Sequence, residues 1–103
     1  MAILYGVLLE EVERQERVVA SYEEMLCSLP RGSLFIRKMG GSSFAYLKRR
    51  EGEKVISIYL GNVNGEEVKK QIELSKEYKR ISDNLKIAKK ELKQLRKVLK
   101  AYD

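Results

Sequence analysis

The sequence predicts an α+β fold: an N-terminal helix, then a three-stranded antiparallel β-meander, then a long C-terminal helix. Two observations lead to this prediction. Apolar residues recur at alternating spacings of three and four towards both ends of the chain, and with period two in its middle. The first spacing is typical of a helix with an apolar stripe, and the second of strands with one buried face. With 103 residues, the chain is expected to form a single domain, 1–103.

The first helix is expected over about residues 2–28. Its alternating three-four spacing is that of a heptad pattern. Gln15 is the polar member, and a polar residue at such a position commonly fixes the register of a helix pair. Pro30 and Gly32 are expected to end the helix, because proline lacks the amide donor and glycine adopts unusual backbone angles. The residues of this first seam are Tyr5, Leu8, Val12, Gln15, Val19, Tyr22, Leu26 and Leu29.

Three strands are expected over about residues 33–38, 43–49 and 54–60. Glycine-containing connections, Gly40-Gly41 and Glu51-Gly52-Glu53, separate them and indicate hairpins. The last helix is expected over about residues 65–102, with Asn64 as its N-cap. Its seam comprises Tyr78, Ile81, Leu85, Ala88, Leu92, Leu95, Leu99 and Tyr102.

The two helices carry opposite charges. Residues 10–24 contain six glutamates and two arginines, whereas residues 76–100 contain ten lysines and arginines against three acidic residues. We therefore expect the helices to pack antiparallel with coiled-coil-like heptads and complementary charges. The longer second helix would leave an apolar end, which favours a homo-oligomer and most simply a dimer. The expected interface residues are Leu4, Val7, Leu92, Leu95, Leu99 and Tyr102.

Period-two alternation gives the sheet two different faces. One face is wholly apolar and is expected to be core: Leu34, Ile36, Ala45, Leu47, Ile56, Ile58 and Leu60. The opposite face mixes aromatic rings with cations, as nucleic-acid-binding surfaces do, because rings stack on bases and cations neutralise phosphates. The predicted nucleic-acid-binding residues are Arg37, Phe44, Tyr46, Lys48, Arg50 and Tyr59. The alternative is that these rings form a second core layer or a protein–protein interface, where tyrosine and arginine are also enriched.

Composition argues against catalysis. The chain has no histidine and a single cysteine, Cys27, so it contains neither a Cys–His nucleophile nor a zinc-binding cluster. No glycine-rich phosphate loop follows a strand. We therefore expect no enzyme activity, no cofactor, no metal and no small-molecule substrate. The lone cysteine indicates a cytoplasmic protein, and the apolar start is too short to span a membrane.

The middle of the chain resembles a small uncharacterised prokaryotic family. The resemblance rests on Leu29-Pro30-Arg31-Gly32, the tyrosine-containing strand around Phe44-Ala45-Tyr46, the hairpin Gly52-Glu53-Lys54-Val55 and the strand end Tyr59-Leu60-Gly61. It implies a helix–sheet–helix fold and no assigned activity. The order of three strands followed by a helix is also similar to the arm-type DNA-binding domain of phage integrases, in which the sheet lies in the major groove.

The sequence thus supports two functional hypotheses. The first is a small, basic, non-enzymatic accessory module, with a net charge of +6, that binds DNA or RNA through the outer face of its sheet. The second is a structural or protein-interaction module that homo-oligomerises through its helices and has no nucleic-acid ligand. The lysines and arginines of the last helix could track a phosphate backbone. Such a run is more often the solvated face of a helix, and here the glutamates of the first helix also neutralise it.

Overall fold

The computed structural model describes residues 2–102. In chain order it contains α1 (Ala2–Cys27), β1 (Ser33–Met39), β2 (Ser42–Glu51), β3 (Lys54–Asn62) and α2 (Glu66–Lys100). The predicted α+β class and the order of the elements are confirmed, and the predicted boundaries lie within one or two residues of the observed ones.

The described residues form two compact units. The helical unit consists of α1 and the part of α2 from Ile81 onwards, and the sheet unit consists of Ser28–Arg80. Each unit is described by itself below. The expectation of a single domain, 1–103, stays a prediction.

The sheet unit contains an antiparallel sheet in the order β1-β2-β3, as the period-two pattern predicts. Two-residue loops join the strands, since Met39 pairs with Ser42 and Glu51 pairs with Lys54. The first loop residues, Gly40 and Gly52, both have φ near +64°, a conformation that glycine adopts without the steric cost of a side chain. The glycines therefore fix the hairpins, and the hairpins fix the register.

Register separates the two faces of the sheet. Leu34 lies opposite Leu47 and Ile36 opposite Ala45, which keeps these four residues on one face. Ala45 and Leu47 are buried, whereas Ile36, on the edge strand β1, is 47% exposed. The expectation that the whole apolar face is core holds on the central strand, where each residue has a neighbouring strand on both sides. On the two edge strands, the expectation is wrong for Ile36. The other residues of this face on those strands are half-buried: Leu34, Ile56, Ile58 and Leu60.

The first part of α2 packs on the sheet within the sheet unit. Val68 is buried, and its Cγ2 atom lies only 2.9 Å from the position that a Cβ atom on Gly61 would occupy.

The first residue of α2 differs from the predicted one. The carbonyl oxygen of Gly65, not that of Asn64, accepts the first helical hydrogen bond, from the amide of Lys69. Instead, the main-chain N–H of Asn64 donates to the side-chain oxygen of Asn62 in an Asx turn.

The helical unit has a core drawn from both predicted seams. Its buried members are Val12, Val19, Leu85, Ala88 and Leu92, and Val18, Tyr22, Leu26, Leu95 and Leu99 pack around them half-buried. Gln15 is also buried, and its Nε2 atom donates to the carbonyl oxygen of Ala88 (3.3 Å) and to Oε2 of Glu91 (3.1 Å). The seams therefore meet, while antiparallel heptad packing stays a prediction.

Candidate nucleic-acid interface

The outer sheet face is built by strand alternation around β2. Register places Phe35 opposite Tyr46 and Arg37 opposite Phe44 across the β1–β2 pair, and Tyr46 opposite Tyr59 across the β2–β3 pair. These facing positions bring the predicted aromatic and basic residues onto one surface. We use "outer face" for Phe35, Arg37, Met39, Phe44, Tyr46, Lys48, Arg50, Val55, Ser57 and Tyr59.

Three rings on this face contact one another. The ring centroids of Tyr46 and Tyr59 lie 5.3 Å apart, and those of Phe44 and Tyr59 lie 6.2 Å apart, both with tilted planes. Such spacings are those of favourable aromatic pairs, so the rings hold each other in place. Tyr59 nevertheless remains 58% exposed, and Phe44 and Tyr46 are half-buried. Within the sheet unit, the rings form an open cluster and not a second core layer.

Phe35 extends the aromatic surface onto β1. It is 43% exposed, and the Nζ atom of Lys48 lies 4.3 Å from the centroid of its ring. This is a cation–π contact, which orients the lysine over the ring. The contact places a positive charge directly beside an exposed aromatic face.

A shallow depression lies at the end of the sheet near the first hairpin. It has a volume of about 400 Å³ and is lined by Met39, Phe44, Tyr46 and Tyr59. Three of the four lining side chains are aromatic, so the depression is an open surface made mostly of rings. Met39 was missed by sequence reasoning because the first strand was predicted to stop at residue 38. The two-residue spacing of Phe35, Arg37 and Met39 in the sequence could have identified Met39 as a residue of the same face.

The predicted cations are exposed. Arg37, Lys48 and Arg50 all lie in contact with solvent. A nearby carboxylate, that of Glu51, pairs with Arg49, whose Nη2 atom lies 3.0 Å from Oε1. The outer face therefore combines exposed rings with exposed positive charge, which is the combination that single-stranded nucleic acids bind.

Comparison with known proteins adds a family. Residues 8–70 match the model of a domain of unknown function, DUF6788. This chain belongs to the DUF6788 family. No curated protein matches the chain, and no solved structure matches it. The resemblance to an uncharacterised family is thereby confirmed, whereas the similarity to the integrase arm domain gains no support.

The DUF6788 match covers most of α1, all three strands and the start of α2. It therefore includes every residue of the outer face. The later part of α2, which supplies half of the helical core, lies outside the match. The candidate interface thus belongs to the part of the chain that defines the family.

The residues predicted for an oligomer interface lie in different environments. Leu4, Val7 and Tyr102 are exposed, and Leu95 and Leu99 are half-buried against the helical core. Leu92 is buried in the helical core together with Val12 and Val19 of α1. The interface residues as a set stay a prediction.

The basic residues of α2 are partly balanced within the helical unit. Arg96 lies 3.6 Å from Glu16, so the opposite charges of the two helices meet at this point. Glu11 pairs with Arg14 within α1, and the hydrogen bond from Arg14 holds the pKa of the Glu11 carboxyl below its ordinary value.

Neither helix, over residues 2–102, has an apolar stretch of the length needed to cross a membrane.

Proposed function

We propose that this DUF6788 protein is a non-enzymatic accessory module that binds nucleic acid on the outer face of its sheet. One observation carries the proposal: Tyr46, Tyr59 and Phe44 form an open aromatic cluster beside exposed cations. Exposed apolar patches commonly mark binding surfaces. A base that stacks on these rings would remove them from contact with water.

The geometry favours single strands. Base stacking on a side-chain ring needs an unpaired base, and each stacked base contributes about 1–3 kcal/mol. The flanking cations Arg37, Lys48 and Arg50 would neutralise the phosphates of the same strand. DNA and RNA share both features, so the proposal covers single strands of either kind.

Fluorescence anisotropy with labelled single-stranded and duplex oligonucleotides, measured over a salt series, tests this proposal. We expect the protein to bind single strands most tightly at low salt. Replacing Tyr59 with leucine should weaken binding about tenfold, because leucine keeps apolar bulk but has no π-face for stacking. The matched control is Tyr5→Leu, which makes the same chemical change on α1 and should leave the affinity unchanged.

Absence of binding even at low salt would refute nucleic-acid binding, because phosphate contacts are strongest there. Equal losses in Tyr59→Leu and Tyr5→Leu would refute the outer face as the binding surface. RNA and DNA strands of equal length, run side by side, identify the preferred sugar.

The second candidate function is a homo-oligomeric interaction module. The observation that favours it is the exposed apolar surface near the start of α1, where Ile3, Leu4 and Val7 are all exposed, Ile3 to 84%. Exposed apolar patches commonly mark protein–protein contacts. The two functions are compatible, since they use different units of the chain.

A further inference from the structure

A basic notch lies where β1 begins, at one edge of the sheet. β1 starts with Ser33 opposite Lys48, whereas β2 continues to Glu51. Arg49 and Arg50 therefore lie beyond Ser33, the first residue of β1, and have no partner on β1. The notch next to them has a volume of about 350 Å³, and its lining includes Arg31, Lys48, Arg49, Arg50 and Tyr78.

Four of these lining residues are cations, and none is acidic. Grouping like charges raises the free energy of the folded chain unless an anion lies among them. Glu51 lies nearby but is engaged by Arg49, with an Nε–Oε1 distance of 3.1 Å. Arg49 is thus paired with a carboxylate, and the positive charge of the notch comes from Arg31, Lys48 and Arg50.

Arg31 is oriented for binding. Its Nη2 atom donates to the main-chain carbonyl oxygen of Arg50 at 3.1 Å, which holds the guanidinium at the notch. A guanidinium has five N–H donors in a planar fork, so further donors remain after this bond. Planar forks of this kind match the oxygens of a phosphate group.

Gly32 keeps the chain close to β2 beside the notch. Its φ is +134°, and a Cβ atom at this position would lie 2.7 Å from the carbonyl oxygen of Lys48. No other residue fits there without a shift of the backbone. Gly32 therefore allows the main chain before β1 to approach β2 closely beside the notch.

Lys48 belongs to both sites. It lines the notch, and its Nζ atom lies 4.3 Å from the ring centroid of Phe35 on the outer face. A nucleic-acid strand stacked on the outer face is therefore within reach of the notch through a shared cation.

We propose that Arg31, Lys48 and Arg50 at the notch bind a backbone phosphate of the strand that stacks on the outer face. The nucleic-acid source of this phosphate rests on the proposed function, while the affinity of the notch for phosphate rests on its own geometry. The two are tested separately.

The first arm follows the arginine Nε–H signals of the ¹⁵N-labelled full chain during titration with inorganic phosphate. We expect the signals of Arg31 and Arg50 to shift and saturate, and the shift of Arg50 to decrease in the Arg31→Gln variant. Arg17, an exposed arginine on α1, is the internal reference. Equal, non-saturating shifts at Arg17 and Arg31 would show a general ionic effect and overturn the notch.

The second arm measures oligonucleotide affinity against salt for Arg31→Gln and Arg50→Gln. Each should reduce the magnitude of the negative slope of log K against log salt by about 0.7, the value for one lost contact with a single strand. Arg31→Gln tests the notch alone, because Arg50 is also a cation of the outer face. The control, Lys38→Gln, removes one charge from β1 without touching the notch and should keep the wild-type slope.

The two arms separate the two ideas. Oligonucleotide binding with a wild-type slope in Arg31→Gln would overturn the notch and leave the proposed function standing, because Arg31 lines the notch but is not a residue of the outer face. Saturating phosphate shifts without any oligonucleotide binding would overturn the proposed function and, with it, the nucleic-acid source of the phosphate.

Discussion

Gly61 is a single residue on which the packing of the sheet unit depends. Its φ is +127°, and a Cβ atom would lie 2.9 Å from Cγ2 of the buried Val68. Both the backbone angle and the close contact oppose any side chain. We predict that Gly61→Ala lowers the free energy of unfolding by about 1–3 kcal/mol, as measured by urea denaturation followed by circular dichroism.

Gly41 provides the control for this substitution. It lies in the first hairpin, has no heavy atom within 4 Å of a built Cβ, and is not among the glycines with positive φ. Gly41→Ala should therefore change stability by less than about 0.5 kcal/mol. Equal effects of the two substitutions would contradict the close packing of Val68 on β3.

Individual residues also show what sequence reasoning can and cannot reach. Alternation places Tyr46 and Tyr59 on the outer face correctly, because successive side chains of a strand point to opposite faces of the sheet. It cannot show that the two rings come within 5.3 Å, since that distance depends on register between strands. The predicted Asn64 cap was wrong because Asn64 lies in an Asx turn closed by the side chain of Asn62, and Gly65 supplies the first helical acceptor one residue later.

Among the elements, the helix pair is distinguished by its buried amide. Gln15 is buried, whereas its partner Glu91 is exposed and can be solvated by water. The other acceptor, the carbonyl of Ala88, lies in the interior of α2, where it also has a helical donor. Replacing Gln15 with leucine therefore leaves no buried group without a partner. We predict that Gln15→Leu raises the free energy of unfolding by about 1 kcal/mol, measured by urea denaturation.

Gln94→Leu makes the same change at an exposed position of α2 and should alter stability by less than about 0.5 kcal/mol. A loss of stability in Gln15→Leu would contradict this view and would show that the amide is needed for the pairing itself. The prediction that Gln15 fixes register is consistent with a polar group kept at a cost in stability.

The strands were predictable as elements but not in their detailed pairing. Hairpin glycines and alternation gave all three strands, because short glycine loops and period two are local signals. The register shift between Ala45 and Tyr46 carries no comparable signal. There Tyr59 lies opposite Tyr46 and Gly61 opposite Ala45, so Leu60 is the extra residue on β3.

At the scale of the whole molecule, the apolar start of α1 predicts self-association. Val7 is 55% exposed and lies near the exposed Ile3 and Leu4 in sequence. We predict that light scattering at micromolar concentration gives twice the chain mass, and that Val7→Lys gives the mass of a single chain. A charge on this surface opposes its burial in a dimer.

Val55→Lys is the matched control, because Val55 is also strongly exposed but lies on the outer face of the sheet. It should leave the dimer intact. A single-chain mass for the unmodified protein would refute homo-oligomerisation, and an equal effect of both lysine substitutions would remove α1 from the interface.

The net charge of +6 is not by itself an argument for nucleic-acid binding, because the cations of the chain lie in different environments. Arg96 meets Glu16 in the helical unit, so part of the basic charge of α2 serves packing. The cations of the sheet unit are different, because Lys48 lies over the exposed ring of Phe35 and Arg37 lies opposite Phe44 in the register. The case for a nucleic-acid ligand therefore rests on the sheet and not on the lysine-rich helix.

The most direct test of this central claim is a ¹⁵N–¹H shift map of the full chain during titration with a single-stranded oligonucleotide at low salt. We predict that the largest amide shifts fall on β2 and β3 around Tyr46, Lys48 and Tyr59, with small shifts along α2 from Lys86 to Lys100. The largest shifts on the lysines of α2, or no shifts at all, would contradict the claim that the outer face of the sheet is the binding surface.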